Sequence, residues 1–199
     1  MVEPYLPLLL FAAVATASPG GATTLATASG AHFGFRRSVP LMAGIALGLA
    51  SMAAAAAIGL ASLLMAIPGL QIAIKAVGSI YLVWLAWQLA RNGAPRTRDE
   101  ASRPITLLGG LWMLWHNPKG WAMTAGSAAS FVALADGPVR LAVLLGVTFG
   151  LAAALSLSLW CLAGQALARI LRLDWQWRVL NLVLAGLLIL SIVPMWQDA

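Results

Sequence analysis

Charge is missing from most of this chain, and its gaps set the architecture. No Asp, Glu, Lys or Arg occurs in 4–35, 38–74, 104–118, 120–135, 141–168 or 179–197. A bilayer core of about 30 Å is crossed by roughly 20 helical residues, and these gaps are of that scale. The whole chain of 199 residues is 61% hydrophobic and only 9% charged, where a soluble domain carries about 25% charged residues. With a mean hydropathy of +0.90, an ordinary soluble enzyme and a disordered chain are both excluded. The composition is that of an integral membrane protein. The single cysteine, Cys161, rules out an intramolecular disulfide and a cysteine-based metal cluster.

A segment in lipid must satisfy its own backbone, so only helices and closed barrels span a membrane. Barrel-type alternation is absent, and the run Ala53 to Ala57 favours helix. With turn residues placing the ends, the sequence predicts an all-α membrane domain of six spans near 5–29, 40–66, 70–91, 106–133, 140–166 and 177–196. Pro68-Gly69 separates the second span from the third. Residues 1–18 imitate a secretory leader, but Glu3 stands where a positive region is required; the expectation is that no cleavage occurs.

Orientation follows from the basic residues. Loops between spans one and two, three and four, and five and six hold Arg36, Arg37, Arg91, Arg96, Arg98, Arg103, Arg169, Arg172 and Arg178, whereas the opposite side holds only Arg140. The positive-inside rule puts those three loops in the cytoplasm and both termini outside. The same arginines account for the net charge of +6, so nucleic acid is not an expected partner. Trp84, Trp87, Trp112, Trp115, Trp160, Trp175 and Trp177 read as a cytoplasmic interfacial belt, with Trp121 the deep exception.

Two spans are interrupted. Span one contains Ser18-Pro19-Gly20-Gly21, and span four contains Asn117-Pro118-Lys119-Gly120. Proline removes a backbone donor, so each break frees carbonyls that need protein or water. Spans one and four head two three-helix halves, and an odd number of spans makes such halves inverted. The predicted organisation is repeat one at about 1–91, a cytoplasmic loop at about 92–104, and repeat two at about 105–199. Gly44 and Gly48 in span two match Gly146 and Gly150 in span five, as small residues that let helices pack closely. Paired broken helices in inverted halves point to a transporter's midplane site; kinks that only shape packing are the alternative.

Within that site Lys119 is the sharpest residue. It lies deep in span four, where an ionised amine is costly unless paired or hydrated. Snorkelling is the structural alternative, and for Lys75, near a span end, it is the preferred one. His116 neighbours the second break and is a candidate proton carrier, with an ordinary hydrogen-bonded histidine as the alternative. His32 and His116 lack partners at metal-ligand spacing, and no metal or cofactor is expected. No paired carboxylates, G-x-S-x-G or H-E-x-x-H occur, so an enzyme is not expected. All six acids, Glu3, Asp99, Glu100, Asp136, Asp174 and Asp198, fall in loops or termini.

The Pro19-Gly20 pair, the series Gly34, Ser38, Gly44 and Gly48, the stretch Gly78-Ser79-Ile80-Tyr81, and Asn117-Pro118-Lys119 together resemble the LysE-type amino-acid exporters. The resemblance runs through essentially the whole chain. It implies export of amino acids or similar small zwitterionic solutes across a bacterial inner (plasma) membrane, with both termini on the periplasmic side. Many members carry an acid after the second glycine of span two and another in span five; here Leu49 and Ser156-Leu157-Ser158 occupy those places. The expectation is an alternating-access exporter in which Ser18, Pro19, Gly20 and Gly21 face Asn117, Pro118 and Lys119, and Lys119 holds a carboxylate. A non-transport scaffold or assembly subunit is the competing class. The expected partners are a small-molecule substrate and lipid; self-association is left open.

Overall fold

The computed structural model describes residues 5–59, 67–91, 104–171, 173–190, 192, 193 and 196. Among them the chain forms seven α-helices and no strand. These are α1 (Leu6–Ala17), α2 (Gly21–Ala57), α3 (Pro68–Arg91), α4 (Leu107–Trp115), α5 (Pro118–Ser130), α6 (Pro138–Ile170) and α7 (Asp174–Leu190). A single 3₁₀ turn, Val132–Leu134, follows α5. The predicted loop at 92–104 lies outside the described residues except for its last one, as does the end of span two beyond residue 59.

Both expected breaks are present: α1 stops at Ala17 and α2 restarts at Gly21, and α4 stops at Trp115 and α5 restarts at Pro118. The connection between spans one and two differs from the expected loop. It is one residue long. Gly34 has φ 74° and ψ 171° inside α2, a combination essentially confined to glycine. The Ser29 and Ser38 hydroxyls lie 2.7 Å apart, whereas nine residues of straight helix would separate them by about 13.5 Å. The chain therefore doubles back at Gly34, and Arg36 and Arg37 fall in the first turns of the returning segment rather than in a loop.

Close crossings fix how the helices lie. α2 makes its largest interface with α6 and its next with α4. The segment before Gly34, folded back on the one after it, crosses α6 closely where Gly30 meets the Cys161 carbonyl and Gly164 the Thr27 carbonyl. The segment after it runs antiparallel to α6, with Ala50 over Gly146 and Ala46 near Gly150. It runs parallel to α4, where Gly44 touches the Leu107 carbonyl and Gly48 packs on Leu111 and Leu114. Gly44, Gly48, Gly146 and Gly150 thus each lie against a neighbouring helix. Gly30, Gly110 and Gly164, not among the glycines singled out from the sequence, make backbone approaches as close.

The outer surface is apolar. Val139, Val143, Val147, Leu151, Leu155 and Leu159 on α6 are each more than half exposed. Their four-residue spacing makes one stripe of about 30 Å, the thickness of a bilayer's hydrocarbon core. The other face of α6 buries Leu145, Phe149, Leu157 and Cys161. Among the described residues, two helices, Gly21–Ala57 and Pro138–Ile170, are long and apolar enough to cross a membrane. At the chain's other boundary Arg140 pairs with Asp136 at 3.2 Å, one turn apart and exposed, a contact worth little to stability.

Candidate functional site

The two breaks meet. Lys119 sits in the first turn of α5, where the Asn117 side chain caps the helix by accepting from the Lys119 backbone N–H at 3.0 Å. From there its ammonium reaches back to the first break. Nζ donates to the Ser18 hydroxyl at 2.8 Å and lies 3.4 Å from the Pro19 carbonyl. Gly20 leaves room for that side chain, since a Cβ there would lie 3.3 Å from Nζ. Residues 101 apart in sequence are thus joined by an amine and a hydroxyl.

The last four carbonyls before the first break are all accounted for. Pro19 has no N–H for the Ala15 carbonyl, and the Ser18 hydroxyl donates there instead at 2.8 Å. The Ser18 N–H donates to Val14 at 3.0 Å. Ser156 on α6 donates to the Thr16 carbonyl at 2.8 Å, and the Trp160 indole to the Ala17 carbonyl at 3.2 Å. These are the last four carbonyls of α1, the ones a helix end leaves without internal partners. At the second break the Trp121 indole donates to the Trp115 carbonyl at 2.9 Å, and the Asn117 N–H to Leu114 at 2.9 Å. Trp160 was expected in the interfacial belt. Its indole N–H closes the break instead, and Trp115 donates to Ser51 at 3.0 Å.

A cavity of about 50 Å³ opens between the breaks, with room for a few waters. Ser18, Gly20, Gly21, Asn117 and Lys119 line one part of it, and Ile45, Leu49, Leu114, Met123 and Leu157 form an apolar wall. The helices beginning at Gly21 and Pro118 both start at this cavity, so the positive ends of two helix dipoles converge on it. Thr23 holds the first of them, its hydroxyl accepting from Gly20 N–H at 2.9 Å. Leu49, where many LysE-type members carry an acid, faces the cavity, and Ser156 stands beside it.

Other candidates fall elsewhere. His116 caps the end of α4; its Nδ1 donates to the Trp112 carbonyl at 2.9 Å and its ring lies 4.0 Å from that indole, and it does not line the cavity. His32 Nε2 donates to Asn181 Oδ1 at 2.7 Å, tying α2 to α7. Among the described residues no group of three or more His, Cys, Asp or Glu could hold a metal. The Lys75 side chain lies outside those described.

Comparison with known proteins agrees with this arrangement in length and family. The chain is 28% identical over 193 residues to the cysteine/O-acetylserine efflux protein of Salmonella choleraesuis, covering 92% of this chain and 95% of that one. It is 30% identical over 173 residues to the protein of the same name from Escherichia coli O139:H28, covering 86% and 87%. An uncharacterized membrane protein of Vibrio cholerae is 31% identical over 105 residues; the match takes in 53% of this chain and about half (51%) of that one. No solved structure matches. The family profile described as LysE type translocator matches residues 13–192. Because that match takes in nearly the whole sequence, both breaks and every crossing glycine included, the chain belongs to the LysE type translocator family.

Proposed function

We propose that the protein is a bacterial inner-membrane exporter of amino acids or similar small zwitterionic solutes, working by alternating access. The observation that carries this reading is the Lys119–Ser18 contact of 2.8 Å between two broken helices. An ammonium beside a small cavity, with hydroxyl and carbonyl neighbours but no acid, is a receptor waiting for an anion. A solute carboxylate would take the place of Ser18 on Nζ, with Pro19 keeping its contact to the ammonium. Broken helices with their N-termini at an anionic group are the arrangement by which transporters bind at the bilayer midplane.

In this reading the chain crosses the membrane six times as two inverted three-helix repeats, with both termini outside. Support comes from the helix directions, since neighbours before and after Gly34 run oppositely, and from the arginine distribution. The efflux of cysteine and O-acetylserine named for the relatives makes those two solutes the first to try.

The test is flux with the native and altered site. Cells producing the protein should release more L-cysteine or O-acetyl-L-serine than cells without it. Lys119→Met should abolish that difference at normal membrane abundance, because the methionine keeps length and bulk but not charge. Lys119→Arg should restore only part, since a planar fork does not replace a compact ammonium. A normally abundant Lys119→Met protein that still exports would refute the site. Native protein that moves no solute from a broad amino-acid panel would favour a scaffold.

A further inference from the structure

The cavity holds a cation and, by its chemistry, asks for an anion; nothing in it asks for a second cation. Among the described residues, Lys119 is the one charged residue lining it. The sequence has no Asp or Glu from residue 4 to residue 98, nor from 101 to 135 or 137 to 173. An ammonium group could instead be held by freed carbonyls, as broken helices often provide. Here those carbonyls are taken. Ala15, Thr16, Ala17 and Trp115 each already accept from Ser18, Ser156, Trp160 and Trp121. The Thr23 hydroxyl donates to Gly20 and the Thr16 hydroxyl to Ala12. The Ser18 hydrogen is committed to Ala15. What remains toward the cavity is chiefly donors, namely the Lys119 ammonium, the Asn117 amide and the first-turn N–H groups of α2, while the Pro19 carbonyl already faces that ammonium at 3.4 Å.

We infer that this site reads a carboxylate and lacks an ammonium subsite, so that short-chain monocarboxylates are ligands on the same footing as small neutral amino acids, and cationic amino acids are rejected. The inference rests on the reading of Lys119 as the carboxylate's partner and adds which solutes follow from it. The solute's amine would point at the positive ends of the α2 and α5 helices or at the apolar wall around Leu49 and Leu114, where it gains no partner. A second ammonium, as in lysine, would meet Lys119 with no counter-charge to offset the repulsion. Leu49 is the specificity-determining position, because it is buried at the cavity wall where an acid would supply the missing anion.

Calorimetric titration of the purified full chain in lipid nanodiscs at pH 7 tests this with a matched set. Propionate, L-lactate and L-alanine share one carbon skeleton and differ only at C2. The three should bind within about threefold of one another, and L-lysine at least about tenfold more weakly. Lys119→Met should lose all three, and Leu49→Asp should raise the L-alanine-to-propionate affinity ratio by about tenfold or more. Leu49→Gln, a neutral acceptor, gives a smaller rise and serves if the aspartate variant does not fold. If L-alanine binds at least tenfold tighter than propionate and Lys119→Met still abolishes binding, the site reads the amine and this inference is overturned while the carboxylate role stands. If Lys119→Met binds L-alanine as the native protein does, the carboxylate role itself falls. An unchanged ratio in folded variants at position 49 would remove Leu49 as the determinant.

Discussion

The Trp160 indole donates to the Ala17 carbonyl at 3.2 Å, across 143 residues of sequence. A side chain from α6 thus completes the end of α1, whose next helical donor is lost where the chain unwinds at Ser18-Pro19-Gly20. With Ser156 serving Thr16 one turn earlier, α6 acts as a splint along the first break. The break persists because a neighbouring helix supplies what lipid cannot.

Replacing the indole should expose that dependence. Trp160→Phe keeps an aromatic ring but removes the donor, leaving a carbonyl unmet at a cost of about 1–3 kcal/mol. Thermal unfolding in nanodiscs should show a clear drop in midpoint. Trp175→Phe, at a largely exposed indole, should unfold like the native protein.

Gly34 tolerates no side chain. Its φ of 74° with ψ of 171° lies in a region that costs other residues about 1–3 kcal/mol. Both Gly34→Ala and Gly34→Asn should therefore lower stability, the asparagine giving no rescue because the conformation is not the left-handed helical one it accepts. Equal midpoints for native and alanine proteins would mean that the reversal does not depend on this dihedral.

Helix crossings give a sharper contrast. A Cβ at Gly30 would run into the Cys161 carbonyl, and one at Gly164 into the Thr27 carbonyl, whereas one at Gly126 meets nothing. Gly30→Ala and Gly164→Ala should sharply reduce the folded fraction recovered in mild detergent. Gly126→Ala, inside α5, should be neutral or gain up to about 1 kcal/mol from helix propensity. Size-exclusion profiles of the three variants decide it.

Topology can be read with the native cysteine left in place. Cys161 is fully buried, so it should resist a membrane-impermeant maleimide. Added cysteines at Thr97 and Ala199 then report alone. Intact inner-membrane vesicles of right-side-out orientation should label Ala199→Cys and spare Thr97→Cys until permeabilised. The reverse pattern would overturn the six-span path with both termini outside.

Much of this arrangement was legible in the sequence, for physical reasons. Proline and paired glycines mark breaks because they alter the backbone itself, and Pro19 and Pro118 announced both. Lys119 stood out because charge at depth is rare. Three things were not legible. The reversal at Gly34 was read as a loop over residues 30–39, since Arg36 and Arg37 mark a membrane boundary but not how few residues the turn takes. Trp160 reads as an interfacial residue because an indole's partner on a distant helix leaves no local pattern. Gly30 and Gly164 were passed over although Gly30-x-x-x-Gly34 and Gly164-x-x-x-Ala168 have small-xxx-small spacing, because their partners are carbonyls across the bundle.

The segment from Gly21 to Phe33 is bounded by Ser18–Gly20 at one end and Gly34 at the other. It is a straight bar about 20 Å long with a pivot at each end. Leverage follows: a tilt of about 10° at Gly34 swings the Gly21 end through roughly 3.5 Å at this bar length. In the proposed exporter, travel on that scale would stretch the 2.8 Å contact between Lys119 and Ser18 beyond hydrogen-bonding range.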